Sequence, residues 1–245
     1  MLMTNLITGG SGKLGRELVE VYSDFLHPSH DELDVTDKLA VLNYVRKIKA
    51  DIIIHCAAVT DVRLCEVRKD LAWRVNIEGT ENLVKACLEY NNDCYFVYIS
   101  TACVFYGDKG NYVETDLPYP KNFYSLTKLL GEFIVKSSNL RKWLILRTNF
   151  VPKERWRYPK AFIDRFGTYL FANDVALAVK SLVDDGHDGI VHVHGHKKMS
   201  MYELAKITTP DVEPMTLSEY EGPPLTVDMS LRSIRIKPFS MSNTQ

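Results

Sequence analysis

The N-terminus combines a predicted strand, a glycine-rich loop and a predicted helix. Leu2 to Thr8 reads as a short strand, and the apolar spacing from Leu14 to Tyr22 predicts a helix. Gly9, Gly12 and Gly15 lie between them. Glycine permits positive φ and close approach of the backbone to a phosphate, and a helix N-terminus offers free N–H groups to it. The glycine spacing is wider than in the G-x-G-x-x-G form, and a glycine turn can start any α/β domain, but this context favours a dinucleotide site.

Continuous apolar runs recur along the chain, with helical segments between them. Strands are predicted at 25–27, 51–56, 94–100 and 143–147. Helices are predicted over 35–48, capped by Thr36 or Asp37, and over 76–90 and 122–137. Apolar runs of this kind are typical of parallel strands covered on both faces. The order predicts an α/β fold with a doubly wound parallel sheet and right-handed crossovers. Ligands bind beyond the carboxyl ends of such strands, and these ends carry Gly9, Ala57, Thr101 and Thr148.

The C-terminal part is less regular. Residues 151–167 look like a loop or a small lid, and the tail from Pro210 should pack over the crevice with it. Between them we predict a strand at 168–171, a helix over 173–183 capped by Asn173, a strand at 189–195 and a short helix over 200–207. The expected domains are a nucleotide-binding domain, 1–148, and a small substrate-binding subdomain, 149–245, which is interleaved with the last elements of the sheet.

Composition limits the partners and the compartment. Of the 245 residues, 46% are apolar, and the net charge is −1, which gives no electrostatic basis for binding nucleic acid or an anionic membrane. No basic N-terminal region precedes a long apolar run, and no stretch approaches the roughly 20 apolar residues of a membrane span. The five cysteines are an odd number without C-x-x-C spacing. Reduced thiols in the cytoplasm are therefore expected.

A tyrosine and a lysine follow one another at helical spacing. Tyr124 and Lys128 lie on one face of the predicted helix, downstream of the hydroxyl of Thr101 at a strand end. The lysine charge favours the tyrosinate form, so we expect the pKa of Tyr124 to fall. Tyr124 is therefore the candidate proton donor. The Y-x-x-x-K spacing alone occurs often by chance, but it gains weight from the glycine loop and Thr101.

Together these motifs resemble the extended short-chain dehydrogenase/reductases, and within them the dTDP-4-dehydrorhamnose reductases. The matching segments are Gly9 to Gly15, Leu33 to Asp37, His55 to Thr60, Asn76 to Gly79, Ser100 to Phe105, Tyr124 to Lys128, and Arg147 with Thr148. The resemblance implies a Rossmann sheet and reduction of the 4-keto group of a nucleotide-linked 4-keto-6-deoxyhexose by NAD(P)H. It also implies that Thr101 binds the reacting oxygen, Tyr124 donates the proton and Lys128 binds the nicotinamide ribose.

The resemblance also assigns the binding residues. For the cofactor they are Gly9, Ser11, Gly12, Lys13, Leu14, Gly15, Ser29, His30, Asp34, Val35, Cys56, Ala57, Ala58, Thr60, Asn76, Ser100, Tyr124, Lys128 and Thr148. For the substrate they are Thr101, Cys103, Phe150 and Arg165. A carboxylate at the end of the second strand would repel a 2′-phosphate, and none precedes Asp31. Because Ser29 and His30 could bind that phosphate, we expect NADP(H), with NAD(H) as the alternative.

Two alternatives to a plain reductase remain. The segment after Arg147 is short, as in the bifunctional 3,5-epimerase/4-reductases, and Cys103 falls where those enzymes carry a cysteine base. Its partner would be Arg165, a poor acid, and Cys103 could equally be a packing residue. Ala102 and Cys103 replace the acid pair of the dehydratases. The second alternative is a non-catalytic regulatory subunit that binds NADP.

Three further features have competing explanations. His192, His194 and His196 alternate along a strand, which suggests a metal site, but surface histidines without a metal are the preferred interpretation. The basic loop of Arg155, Arg157 and Lys160 could bind a diphosphate or be solvated. Helices 76–90 and 122–137 could form a homodimer bundle.

Overall fold

The protein, described here by a computed structural model over residues 4–242, is built around a five-stranded parallel sheet. The strands of the described residues, in chain order and including those outside this sheet, are β1 (Leu6–Thr8), β2 (Ile52–His55), β3 (Tyr95–Thr101), β4 (Lys142–Thr148), β5 (Phe150–Val151), β6 (Lys160–Phe162), β7 (Phe166–Gly167), β8 (Leu170–Phe171), β9 (Gly189–Val193), β10 (Met199–Ser200) and β11 (Glu213–Met215). Its α-helices are α1 (Lys13–Val21), α2 (Lys38–Ile48), α3 (Val62–Val67), α4 (Lys69–Trp73), α5 (Gly79–Tyr90), α6 (Phe123–Ser137), α7 (Ala172–Asp184) and α8 (Met201–Thr208).

The central sheet has the order β1-β2-β3-β4-β9, and all neighbours are parallel. The carboxyl ends of the strands are in register. Thr8 pairs with His55, Thr101 pairs with Thr148, and Thr148 pairs with Val193. The predicted convergence of strand ends follows from this register, because β1 to β4 all end at one edge of the sheet.

Each face of the sheet has its own apolar core. Ile7, Ile54 and Val97 face a core shared with α1 and α7, whereas Leu6 and Ile53 face a core shared with α2, α5 and α6. Neighbouring residues of one strand point to opposite faces, so strands covered on both sides need the continuous apolar runs seen in the sequence. The doubly wound parallel α/β fold is confirmed.

The N-terminal elements match their predicted positions with three changes. Leu2 lies outside the described residues, and β1 begins only at Leu6, since Thr4 and Asn5 are described but are not part of the strand. The predicted second strand at 25–27 is reduced to a single bridge between Leu26 and Leu6. Asp37 caps α2 as expected, accepting from the amides of Leu39 and Ala40. The predicted helix over 76–90 begins as a π-helical segment, Arg74–Glu78, before α5.

Two predictions in the C-terminal half are wrong. Asn173 does not cap α7; the helix begins at Ala172, and the Asp174 carboxylate instead accepts from the Phe171 amide. Of the three histidines predicted at the surface, His196 is exposed, but His192 and His194 are buried, at 0% and 6% exposure. His192 Nδ1 hydrogen-bonds the carbonyl oxygens of Tyr112 and Arg232. A backbone partner thus explains a buried histidine better than a metal does.

The C-terminal tail lies over the strand ends. Thr226 donates to the Cys103 and Phe105 carbonyls, and Asn149 donates to the Met229 carbonyl. The Asn122 side chain donates to the carbonyl of Pro224. These contacts close one side of the crevice. None of the helices between residues 4 and 242 is both long and apolar enough to span a bilayer.

Candidate active site

A cavity of about 250 Å³ opens where β1 and β2 end. The residues that line it are Thr8, Gly9, Gly10, Ser11, Gly12, Pro28, His30, Leu33, Asp34, Val35, Cys56, Ala57, Ala58 and Val75. The sequence pointed to nine of these. It missed the others, although Thr8 is the last residue of a strand and Pro28 and Leu33 flank predicted site residues.

Glycine is required in the loop for two different physical reasons. Gly9 has φ +72, and a Cβ there would lie 2.6 Å from the Ala57 amide nitrogen, so the backbone of two strand ends meets at this point. A Cβ on Gly15 would lie 2.0 Å from the Gly9 carbonyl oxygen. Gly15 therefore lets α1 approach the loop, as a packing residue rather than a ligand contact. Gly12 has few protein neighbours and lines the cavity.

A buried chain of hydrogen bonds supports the loop from below. Thr80 Oγ1 donates to the Asn76 carbonyl, and His55 Nε2 lies 3.0 Å from Thr80 Oγ1. Thr8 Oγ1 lies 2.7 Å from His55 Nδ1 and accepts from the Ala57 amide. Because Thr80 donates its proton to the Asn76 carbonyl, it can only accept from His55 Nε2. The imidazole proton therefore lies on Nε2, and Thr8 donates to Nδ1. Burial lowers the pKa of His55 to about 3, so the ring is neutral.

Helix α6 carries the tyrosine and the lysine. Asn122 caps it by accepting from the Ser125 amide at 2.9 Å. The half-buried Tyr124 is near Thr101 and Cys103, and both side chains influence its pKa. Thr101 Oγ1 accepts from the Cys103 amide at 3.1 Å, and its hydroxyl also hydrogen-bonds Tyr124. Thr101, Cys103 and Tyr124 are therefore brought together.

The expected fall in the pKa of Tyr124 is wrong for the protein without its cofactor. Burial raises this pKa, the Cys103 charge adds to the rise, and a hydrogen bond with Thr101 opposes it. The Lys128 side chain contacts Tyr98: its ammonium lies 4.0 Å from the centroid of that ring. Burial lowers the pKa of Lys128 itself to about 8, while Cys56 and Glu132 oppose that shift. Desolvation is thus the largest influence on the pKa of both groups.

Two polar groups at the crevice are left without protein partners. Lys128 is 4% exposed, and its ammonium makes no hydrogen bond or ion pair within residues 4–242. Thr148 Oγ1 is buried and likewise has no partner among the described residues. Buried polar groups are normally satisfied. A ribose hydroxyl would satisfy the ammonium, so the residues present fit a dinucleotide.

Several predicted binding residues instead support the site from behind. The Asn76 amide is fully used by Val59 and Thr127, so it holds the loop after β2. Ser100 donates to Glu132 in the interior. Phe150 packs against the sheet core. Outside the cavity lining, the Ser29 amide donates to the Glu32 carboxylate at 2.7 Å.

The other predicted cofactor residues do not line the cavity either. Lys13 and Leu14 belong to the first turn of α1, and Leu14 is buried in the core beneath it. Thr60 is exposed and precedes Asp61, which caps α3. The glycine loop and the start of α1 are thus positioned together. The backbone of the loop, rather than the side chains of Lys13, Leu14 and Thr60, lies at the cavity.

The predicted substrate residues Cys103 and Arg165 lie side by side. Arg165 Nη2 is 3.9 Å from Cys103 Sγ and 3.7 Å from Met229 Sδ, and Nε donates to the Thr226 carbonyl at 3.0 Å. The half-buried guanidinium has no carboxylate partner within residues 4–242. It is thus available to an anion or to polar groups of a ligand. Arg155, by contrast, pairs with Asp211 at the surface.

Residues 3–221 match the model of the RmlD substrate binding domain family. The chain belongs to this family. The RmlD assignment agrees with the extended short-chain dehydrogenase/reductase resemblance of the motifs. Together with the parallel sheet, it accounts for the glycine loop, Thr101, Tyr124 and Lys128 in one structural context.

Relatives of this RmlD-family chain differ in what their names say they do. It is 32% identical to dTDP-4-dehydrorhamnose reductase of Aggregatibacter actinomycetemcomitans, over 82% of the chain and 76% of the relative. It is 30% identical to methionine adenosyltransferase 2 subunit beta of Rattus norvegicus, over 82% and 69%. The crystal structure of dTDP-4-dehydrorhamnose reductase from Bacillus anthracis in complex with NADP superposes with TM-score 0.86 and 28% identity, over 95% and 91%.

Proposed function

We propose that this chain is an NADPH-dependent reductase of the 4-keto group of a nucleotide-linked 4-keto-6-deoxyhexose. The observation that supports this proposal is the meeting of Thr101, Cys103 and Tyr124 beside a crevice in which the buried Lys128 ammonium makes no hydrogen bond or ion pair with the described part of the chain. Reductase relatives and the NADP complex support the broader class, an NAD(P)-dependent oxidoreductase.

The chain's own groups suit protonation of a carbonyl oxygen. When bound, the nicotinamide would supply a hydride to carbon 4 of the sugar. The Thr101 hydroxyl would hydrogen-bond the keto oxygen, and Tyr124 would transfer its proton to that oxygen as negative charge develops. Because burial raises the pKa of Tyr124, the hydroxyl is protonated at neutral pH and ready to donate. Lys128 would bind the ribose hydroxyls.

NADP(H) is the proposed cofactor. His30 lines the cavity with an exposed ring, whose Nε2 lies 3.9 Å from Asp34 Oδ2, and this ring would donate to a 2′-phosphate. Asp31 directly follows His30 in the chain, and the carboxylate of Glu32 accepts from the Ser29 amide. Asp34 lines the same cavity and would contact the adenine. The NADP complex of the Bacillus anthracis relative supports this choice, with NAD(H) as the alternative.

Arg165 is the proposed substrate contact of the C-terminal region. Its guanidinium is held at the Cys103 side of the crevice by the Thr226 carbonyl, and it would donate to the sugar or its diphosphate. The exposed Phe133 and Leu126 on α6 are the residues through which we expect a homodimer, which light scattering of the purified protein would detect.

Two alternative functions each have one supporting observation. The contact of Arg165 with Cys103 would stabilise a thiolate, which favours additional epimerisation at the carbons next to the ketone. The 30% identity with methionine adenosyltransferase 2 subunit beta favours a non-catalytic subunit that binds NADP. Under that alternative the protein would bind NADPH, oxidise none, and co-elute with a methionine adenosyltransferase catalytic subunit.

The deciding experiment follows NADPH oxidation at 340 nm with a panel of nucleotide-linked 4-keto-6-deoxyhexoses. We expect turnover with at least one of them and a 4-hydroxy product by NMR. Thr101→Val serves as the matched control, because it keeps the shape of the strand end and removes the hydroxyl. If the protein binds NADPH tightly but turns over none of the sugars, the proposal of a reductase is rejected.

A further inference from the structure

A carboxylate and a guanidinium are buried together beneath the site. Glu132 is 3% and Arg147 2% exposed. Arg147 donates from Nη2 to Oε2 at 2.7 Å and from Nε to Oε1 at 2.9 Å, and Ser100 Oγ donates to Oε1 at 2.5 Å. Burying a charge pair is costly, and apolar replacements of such pairs are often neutral or stabilising. Stability alone therefore does not explain why this pair is present.

Each member of the cluster is next to a proposed site residue. Ser100 directly precedes Thr101, and Arg147 directly precedes Thr148. Ser100 and Arg147 are themselves paired in register across β3 and β4. Glu132 follows Lys128 by one turn of α6. A single carboxylate thus joins the helix that carries Tyr124 and Lys128 to the two strand ends that face it.

The far side of Arg147 is fixed as well. Its guanidinium carbon lies 5.0 Å from the ring centroid of Phe105, and Nη1 lies 3.5 Å from His192 Nε2. His192 in turn bonds the carbonyl oxygens of Tyr112 and Arg232. The guanidinium is therefore held on both sides and gives Glu132 a rigid anchor.

We propose that Glu132 is a positioning residue, which sets the placement of Tyr124 and Lys128 against Thr101 by tying α6 to Ser100 and Arg147. The proposal rests on the proposed function for its kinetic readout. The groups that face Lys128 from the surrounding elements are His55 and Cys56 at the end of β2, Tyr98 of β3 and Glu132 of α6. Among the described residues Glu132 is the carboxylate of this set.

The test removes the pair without leaving a buried charge. In Glu132→Gln/Arg147→Met both charges are replaced by side chains of similar size, so we expect a thermal midpoint within a few degrees of the wild type. We expect kcat to fall about 10- to 100-fold, because displacement of catalytic groups by about 1 Å has effects of this size. Removing the Glu132 carboxylate should lower the pKa of Lys128, because this carboxylate favours the charged ammonium. As the pH rises, NADPH affinity should therefore decline at a lower pH than in the wild type.

The matched control is Glu81→Gln. It breaks an exposed ion pair with Lys85 on the neighbouring helix α5, and should change neither kcat nor the pH dependence. If the double variant does not fold, Ser100→Ala removes one donor to Glu132 but keeps its carboxylate, so a smaller loss of kcat is expected, with the pH dependence of NADPH binding unchanged. For this variant a wild-type kcat is the result that overturns the proposal. For the double variant, wild-type kcat with a wild-type pH dependence of NADPH binding overturns it.

The two proposals fail separately. If the wild type reduces no sugar of the panel, the proposed function fails, and the pH dependence of NADPH binding still decides the role of Glu132. If the wild type is active and the folded variant equals it in both readouts, the positioning role fails while the reductase stands.

Discussion

A single methyl group at Gly15 tests how the loop is built. A Cβ at this position lies 2.0 Å from the Gly9 carbonyl oxygen and 2.8 Å from the Gly10 Cα, where ordinary contact begins at 3.4 Å. The obstacle is backbone, which cannot rotate away. In Gly15→Ala the start of α1 must therefore move from the loop by about 1.4 Å, the difference between 3.4 and 2.0 Å.

This displacement sets the expected magnitudes. Overpacking of a close contact costs about 1–3 kcal/mol, and a backbone obstacle belongs at the upper end. At about 2–4 °C per kcal/mol for a chain of this size, the thermal midpoint should fall by about 6–12 °C. Loss of one charge-assisted hydrogen bond to a phosphate costs about 1.5–3 kcal/mol, so NADPH should bind about 10- to 150-fold more weakly.

Gly12→Ala is the matched control. Its φ of −71 suits alanine, and the added Cβ meets only the Gly9 carbonyl oxygen, at 3.2 Å. We therefore expect a nearly unchanged thermal midpoint with weaker NADPH binding, because the methyl group enters the cavity. Differential scanning fluorimetry and NADPH fluorescence titration measure the two effects. A Gly15→Ala protein with the wild-type midpoint and affinity would refute the packing argument.

Four further predictions concern chemistry. Tyr124→Phe should lower kcat by about 10²–10⁴-fold while NADPH binding survives; unchanged turnover would exclude Tyr124 as the proton donor. Because burial lowers the pKa of Lys128 to about 8, the ammonium is charged below that pH and neutral above it, so NADPH affinity should decline as the pH rises through about 8. An affinity that stays constant to pH 10 contradicts this. NADPH should be preferred over NADH in kcat/KM, and a preference for NADH by about tenfold would refute the interpretation of Ser29 and His30. If Cys103 is an epimerisation base, sugar protons next to the ketone should exchange in deuterated water, and Cys103→Ser should stop the exchange while reduction continues. Active reduction without exchange in the wild type makes Cys103 a packing residue.

The sequence predicts those parts of the fold that depend on local pattern. β2, β3 and β4 were recognisable as uninterrupted apolar runs, because both faces of each strand are covered. The Asp37 cap and the start of α6 at Asn122 follow from side-chain chemistry within one turn. The site residues at the strand ends follow from these elements, since parallel strands bring their carboxyl ends to one edge.

Long-range contacts set the limit of prediction. Asn76 belongs to a matching segment, but its amide turns to Val59 and Thr127 because a π-helical segment reorients it. The local sequence predicts His192 at the surface, but its hydrogen-bond partner, the backbone carbonyl of Arg232, comes from the distant C-terminal tail. The role of Ser100 depends on Glu132, which is far away in sequence. No local pattern contains these pairings.

The wrong pKa prediction for Tyr124 carries a mechanistic consequence. A model of attraction alone gives a tyrosinate beside an ammonium. In the structure, burial acts on both groups, raising the pKa of Tyr124 and lowering that of Lys128 to about 8. Desolvation thus keeps the proton on Tyr124 at neutral pH. Reduction of a ketone needs this protonated form, whereas oxidation of the alcohol needs the tyrosinate. The same burial that makes the simple prediction wrong therefore keeps Tyr124 in the form that can donate a proton at neutral pH.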